Sequence, residues 1–310
     1  MKSAGKEKRM KQSEKLRELL HEIDHRSYPA YKQLRDSYDF SRYVLGIDHV
    51  QGDPFAAPSR VSVHIDGKKA GFPEELYDTE EKKTALADHL LRRFGKNLRA
   101  YTFQAKGSGK SGLMSVTAPG QEILPRTACE ILPADGSVVL RMEIGFPANG
   151  RTINSRELEK IFFDYLPQCV EKSLYYRALP EKELKKIAAL AEDQTSLRRQ
   201  MREKGLVAFV ANGSVLPRES GVNSRPMKEA VPFRSPESLE VCLELPNHGE
   251  IRGMGIKRGI TLIVGGGYHG KSTLLKALEK GIYNHIAGEA GSMWRQIRMQ
   301  SRSGRRMEDV

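Results

Sequence analysis

The residues with the most specific chemistry are Gly265-Gly266-Gly267-Tyr268-His269-Gly270-Lys271-Ser272, which fit the pattern GxxxxGK followed by Ser or Thr at every fixed position. Glycines at these places let successive backbone N–H groups turn inward around phosphate oxygens, and a lysine in this position adds a point charge to the same oxygens. The Ser272 hydroxyl is placed to hold Mg²⁺. Thr273 and the apolar run after it open a helix whose positive end faces the phosphates, with Gly281 as its stop. The expected ligands are ATP, or a related nucleoside triphosphate, and Mg²⁺, bound by Gly265, Gly266, Gly267, Tyr268, His269, Gly270, Lys271, Ser272 and Thr273. Tyr268 and His269 either touch the nucleotide or shape the turn, and the second reading is preferred.

Other candidate residues are less specific. Lys106-Gly107-Ser108-Gly109-Lys110-Ser111-Gly112 contains GKS but has Gln104 where a phosphate loop needs its first glycine. It reads as a flexible basic turn, with phosphate contact as the alternative. Lys106, Lys110 and Arg60 are the candidate nucleic-acid contacts. Asp48, His49 and Asp53 are either a catalytic or metal cluster or, preferably, a loop held by its own hydrogen bonds. Cys129, Cys169 and Cys242 lack ligand or disulfide spacing, so neither a zinc site nor a disulfide framework is expected. Lys plus Arg outnumber Asp plus Glu by 51 to 39, which favours a polyanionic partner such as RNA. No apolar run is long enough to cross a membrane and the N-terminus lacks a secretory pattern, so a cytoplasmic setting without membrane contact is expected.

The elements that position these groups follow from periodicity. Residues 1–18 form a basic arm running into an amphipathic helix marked by Leu16, Leu19, Leu20 and Ile23. Val61, Val63 and Ile65 alternate as in a half-buried strand, and Leu86, Leu90, Leu91 and Phe94 predict a helix stopped by Gly95. Asn154 and Glu157 have the spacing of a capping box ahead of the stripe Leu158, Ile161, Phe162, Tyr165 and Leu166. A long helix is expected from Glu181 to Lys204, ended by Gly205, and then an apolar strand over Leu206–Ala211. Leu239, Val241, Leu243 and Leu245 alternate with polar residues, as in an antiparallel strand with one wet face. Gly259–Val264 reads as a parallel strand covered on both sides, leading directly into the phosphate loop. The domain boundary is placed near Gly150–Leu166.

Several stretches together resemble the ABC-class ATPase family, one member of which is associated with the trypanosomal mitochondrial RNA-editing complex. They are Asp48-His49-Val50-Gln51-Gly52-Asp53-Pro54-Phe55-Ala56-Ala57-Pro58-Ser59-Arg60, Gly205–Ser214, Gly253-Met254-Gly255-Ile256, and Leu262–Leu275 continuing to Tyr283-Asn284-His285-Ile286. The resemblance covers roughly residues 15–289. It implies an α/β chain with an N-terminal α+β domain over 1–160, followed over 161–289 by an incomplete P-loop NTPase core of ABC type. Residues 290–310 are expected to be a basic tail, natural or read in a shifted frame. The resemblance also implies RNA as partner and a homodimer in the full-length form. An ABC-type site needs a Q-loop, a signature helix, a Walker B Asp-Glu pair and a switch histidine as well. None is identified in the 38 residues after Ser272, so the chain is expected to be part of a longer ATPase and by itself to bind nucleotide without turning it over. The alternative is a non-catalytic nucleic-acid-binding module that retains nucleotide binding. A small-molecule kinase is the weakest reading.

Overall fold

The computed structural model describes residues 10–217, 227 and 229–286. Two compact units divide the chain, one holding the residues up to Pro119 with Pro125–Lys185, the other Gly120–Leu124 with the residues from Lys186 onward.

The first unit is a mixed sheet packed with helices. The two-residue strand Lys11–Gln12 leads into helix α1 (Ser13–Ile23), which buries Leu16, Leu20 and Ile23 of the predicted stripe and leaves Leu19 half-buried. Strands β1 (Ser37–Asp39), β2 (Val44–His49) and β3 (Ser59–Ile65) follow, then helix α2 (Glu80–Leu98) and strands β4 (Met114–Ser115), β5 (Cys129–Ile131) and β6 (Val138–Ile144). The central pairs β2–β3 and β3–β6 are antiparallel, with Leu45 opposite Val63 and Val63 opposite Leu140. Val61, Val63 and Ile65 face the core, while Arg60 and His64 point to the other side of the sheet. Burial holds the His64 imidazole below its ordinary pKa, and Arg141 pushes the same way against an opposing pull from Asp48.

Two local expectations fail here. Helix α2 runs through Gly95 to Leu98, because Phe94 and Leu98 are both buried and carry the apolar stripe one turn further. Gly95 is instead a point of close approach, where an added Cβ would lie 3.1 Å from a Val116 methyl. The capping box at Asn154 does not form either. The first helical N–H, at Ser155, donates to Asp24 at 3.0 Å, and the Glu157 carboxylate accepts from the Lys106 N–H at 2.9 Å. Spacing identified the helix start correctly, but a tertiary carboxylate took the cap.

That helical run comprises α3 (Ser155–Lys160), a π-helical turn Ile161–Tyr165, and α4 (Leu166–Ser173). Desolvation raises the pKa of Asp24, but the Ser155 bonds outweigh it and the carboxyl sits below its usual range. Its folded value is therefore depressed, so the cap contributes fully above the unfolded pKa and is lost as pH falls through the folded one. Asp24→Ala should cost about 1 kcal/mol at neutral pH. Denaturant titrations of variant and parent should converge once the pH falls below the depressed folded pKa, and a difference that persists in strong acid would remove Asp24 as the cap.

In the second unit, helix α5 (Glu181–Glu203) ends ahead of Gly205. Strand β7 (Leu206–Ala211) then pairs with β9 (Gly249–Lys257), which pairs in turn with β8 (Glu240–Leu245); both pairings are antiparallel. Leu197 and Met201 of α5 pack on Phe209, Leu243 and Leu245. On the other side Val210 and Met254 meet Ala277, with Leu274 and Leu278 against them, so helix α6 (Lys271–Lys280) closes the opposite face. Glu240, Cys242 and Glu244 stay exposed, the wet face expected of β8. The hairpin turn between β8 and β9 is tied to α5 by Asp193, a wholly buried carboxylate that accepts from the Asn247 N–H at 3.0 Å and from His248.

Gly259–Val264 is not a strand. Ile260, Leu262 and Val264 are 103%, 82% and 76% exposed, and among the described residues no strand pairs with this segment. A strand exists only through the ladder it joins. Its apolar composition suits a covered position, but composition does not provide the neighbours.

Candidate functional site

The phosphate-type loop lies at the N-terminal end of α6. Its backbone turns at Gly270, whose φ of +77° is left-handed, and helix α6 begins at the next residue without any side-chain cap. The N–H groups of the first helical turn therefore have no acceptor from a capping side chain, and the helix dipole adds positive potential at the same place. The Lys271 ammonium folds back onto the loop, donating to the Gly265 carbonyl at 2.7 Å and to that of Gly266. Uncapped N–H groups, a lysine and a hydroxyl at Ser272 are the donor set that a triphosphate with a divalent cation requires.

His269 shapes this turn. Its Nδ1 accepts the Gly266 N–H at 3.0 Å, closing a ring within the loop. Tyr268 holds a φ of +64° and is fully exposed. A bulky residue in the left-handed region is strained, and among the described residues no packing of its ring compensates. The loop from Gly265 to Gly270 is exposed, Lys271 and Thr273 are partly buried, and Ser272 is open to solvent.

The candidate nucleic-acid residues all fall in the first unit. Lys106 and Lys110 sit on a loop that is not the flexible turn expected. The Ser108 N–H donates to Ala148 O at 2.7 Å, the Lys110 N–H to Pro54 O at 2.9 Å, and the Gly112 N–H to Gly145 O at 2.9 Å. Three glycines suggested freedom, but the backbone bonds to two neighbouring segments remove it. Arg60 lies elsewhere, in a groove of about 690 Å³ with Asp48, Arg141 and Glu143, where both signs of charge alternate.

Asp53 and His49 do not form a metal centre, and among the described residues no cluster of His, Cys, Asp and Glu could hold an ion. Asp53 instead accepts from the Phe55 N–H at 3.0 Å and pairs with Arg151 at 2.9 Å. The hub of this loop is a residue that spacing alone did not reveal. Gln51 is buried, and its Oε1 accepts from the N–H groups of Ser59 and Phe146, both at 3.2 Å, while its Nε2 donates to Asp53 O at 3.0 Å. A lone glutamine in a polar stretch carries no periodic signal. Burial pushes the Cys129 and Cys169 thiols up to about 12, which leaves neither a nucleophile at neutral pH.

Comparison with known proteins adds the decisive observation. Residues 13–177 match the N-terminal domain described as that of an ATPase of the ABC class, and residues 180–307 match the P-loop domain of the same class. The chain belongs to the ABC-class ATPase family. Its P-loop domain is of the nucleotide-binding kind, and the fold is mixed α/β with a separate N-terminal domain. The chain is also 36% identical over 105 residues to an uncharacterised protein, MJ1628, of Methanocaldococcus jannaschii, a stretch that is 31% of this chain and 23% of that protein. No helix among the described residues is long and apolar enough to cross a membrane. Residues 1–9 of the basic arm and the tail 290–310 lie outside the described residues.

Proposed function

We propose that the chain binds ATP with Mg²⁺ at Gly265–Thr273 and contacts RNA through Lys106 and Lys110 of its N-terminal unit. The observation that carries the nucleotide reading is the uncapped N-terminus of α6 with Lys271 folded over the loop. Backbone N–H groups at Gly270–Thr273 would receive phosphate oxygens, and Lys271 would exchange its two loop carbonyls for phosphate charge. A bound Mg²⁺ would supply charge neutralisation between phosphates, held through the Ser272 hydroxyl. Gly265–Thr273 contains no carboxylate, so this segment provides no group to position a metal from the second side or to activate water. The function proposed is therefore binding.

The RNA reading rests on the excess of 51 basic over 39 acidic residues and on the exposed Lys106 and Lys110. Calorimetric titration with ATP in the presence of Mg²⁺ should give a saturable isotherm that adenosine does not reproduce, because the phosphates supply the contacts. Equal binding of adenosine would overturn it. RNA affinity should fall steeply between 50 and 200 mM salt, with a log–log slope near −0.7 per phosphate neutralised. A flat response would remove the electrostatic reading.

A further inference from the structure

The first unit displays two exposed aromatic rings on a stiff support. Phe55 is 62% exposed and Phe103 is 52% exposed, in a unit whose other large aromatic side chains are mainly buried. Neither ring is left out by accident of a loose loop. Phe55 lies between Asp53, which takes its N–H, and Gly109, where an added Cβ would come within 2.9 Å of the ring. Gly109 has a φ of +62° and also faces Pro54 O at 2.6 Å from that Cβ position, so the two loops interlock backbone to backbone. Phe103 holds a φ of +61° and donates its N–H to Gly112 O at 2.7 Å. A left-handed aromatic residue is strained, and here burial of the ring does not offset the strain.

Two ammonium groups stand on the same support. Lys106 Nζ is anchored on Phe103 O at 3.0 Å, and the exposed Lys110 ammonium has no hydrogen bond or ion pair among the described residues, its backbone N–H being the group that bonds Pro54 O. Both belong to the loop that Phe55 and Phe103 flank. Aromatic faces set beside unpaired positive charge match the chemistry of an unstacked base next to its phosphate. Gln51, Ser108 and Ser111 hold the loops in place beforehand, which limits the ordering cost when a strand arrives.

We infer that Phe55 is a stacking platform for a base of single-stranded nucleic acid, with Lys110 contacting the adjoining phosphate. This rests on the reading that the N-terminal unit contacts RNA, and it narrows that reading to single strands and to one loop pair. Duplex RNA cannot use the platform, because its bases are already stacked.

The test is fluorescence anisotropy on the whole chain with a labelled 12-nucleotide RNA of mixed sequence and with its duplex. Phe55→Leu should weaken single-strand binding about tenfold and leave the salt slope unchanged, while Phe55→Tyr should bind like the parent. Lys110→Gln should weaken binding and reduce the magnitude of the slope by about 0.7. Single-strand binding by Phe55→Leu within twofold of the parent, or equal affinity of the parent for the duplex, would overturn the platform and leave RNA binding intact. If the parent binds neither RNA, both the platform and the RNA reading fall.

Discussion

Lys271→Ala should lower the affinity for ATP with Mg²⁺ by about thirtyfold, or roughly 2 kcal/mol, from the loss of charge-assisted hydrogen bonds to phosphate. The lysine is the only cation between Gly265 and Leu275, so no neighbour within the loop can take its place. It is also bound to the loop itself, through Gly265 O and Gly266 O. Part of the phosphate interaction therefore replaces existing hydrogen bonds, which is why the expected loss stays near 2 kcal/mol and does not approach the full value of a buried ion contact. Lys276→Ala, on an exposed turn of the same helix, is the control and should change affinity less than twofold. Calorimetry on both variants decides the matter. A Lys271→Ala protein that binds as tightly as Lys276→Ala would show that the loop does not engage phosphate.

Asp88→Asn is expected to destabilise the first unit by about 3 kcal/mol without any change in nucleotide affinity. Asp88 is almost wholly buried on α2. It receives Arg92 Nε on one oxygen and Arg126 Nη1 on the other, both at 2.5 Å. Arg92 also donates to Pro119 O at 3.3 Å, so the carboxylate and its guanidinium partner tie the helix to Pro119 and Arg126. An asparagine keeps the shape and removes the charge, leaving two largely buried guanidinium groups facing a neutral amide. Breaking a buried ion pair from one side costs far more than the pair contributes net, because the remaining charge keeps its desolvation penalty. In a unit of this size the loss corresponds to a fall in melting temperature of roughly 6–12 °C. The exposed pair Lys83–Glu80, at 2.6 Å, is the contrast: Glu80→Gln should shift melting by less than about 2 °C. Equal shifts for the two substitutions would show that Asp88 is solvated in solution.

The legible part of this protein was what repeats locally. The stripe at Leu16, Leu20 and Ile23 and the alternation at Val61, Val63 and Ile65 encode burial at a fixed period, and the structure buries them accordingly; the long helix expected from Glu181 forms as well, ending ahead of Gly205. The phosphate loop is equally local, since its glycines and lysine act within nine consecutive residues. Local signal and structure part where a distant partner intervenes. Asn154 lost its cap to Asp24, 130 positions away. The glycines of the 106–112 loop, read as freedom, allow close backbone approach to Pro54 and Gly145.

Gly259–Val264 shows the same limit at the scale of a sheet. Its residues have the right types for a covered strand, yet the described chain gives them no ladder and leaves them exposed. Gln51 shows the converse, a polar residue without a pattern that organises a loop by bonding to Ser59 and to Phe146, 95 positions on. By itself, then, the amino-acid order determined the phosphate loop, the helical and strand stripes and the family, because each depends on side chains within a turn or two. Only the tertiary structure decided which carboxylate caps a helix, which glycine marks an approach and which phenylalanines stay in water. Those outcomes depend on which segments meet, and desolvation and hydrogen-bond satisfaction are settled only there.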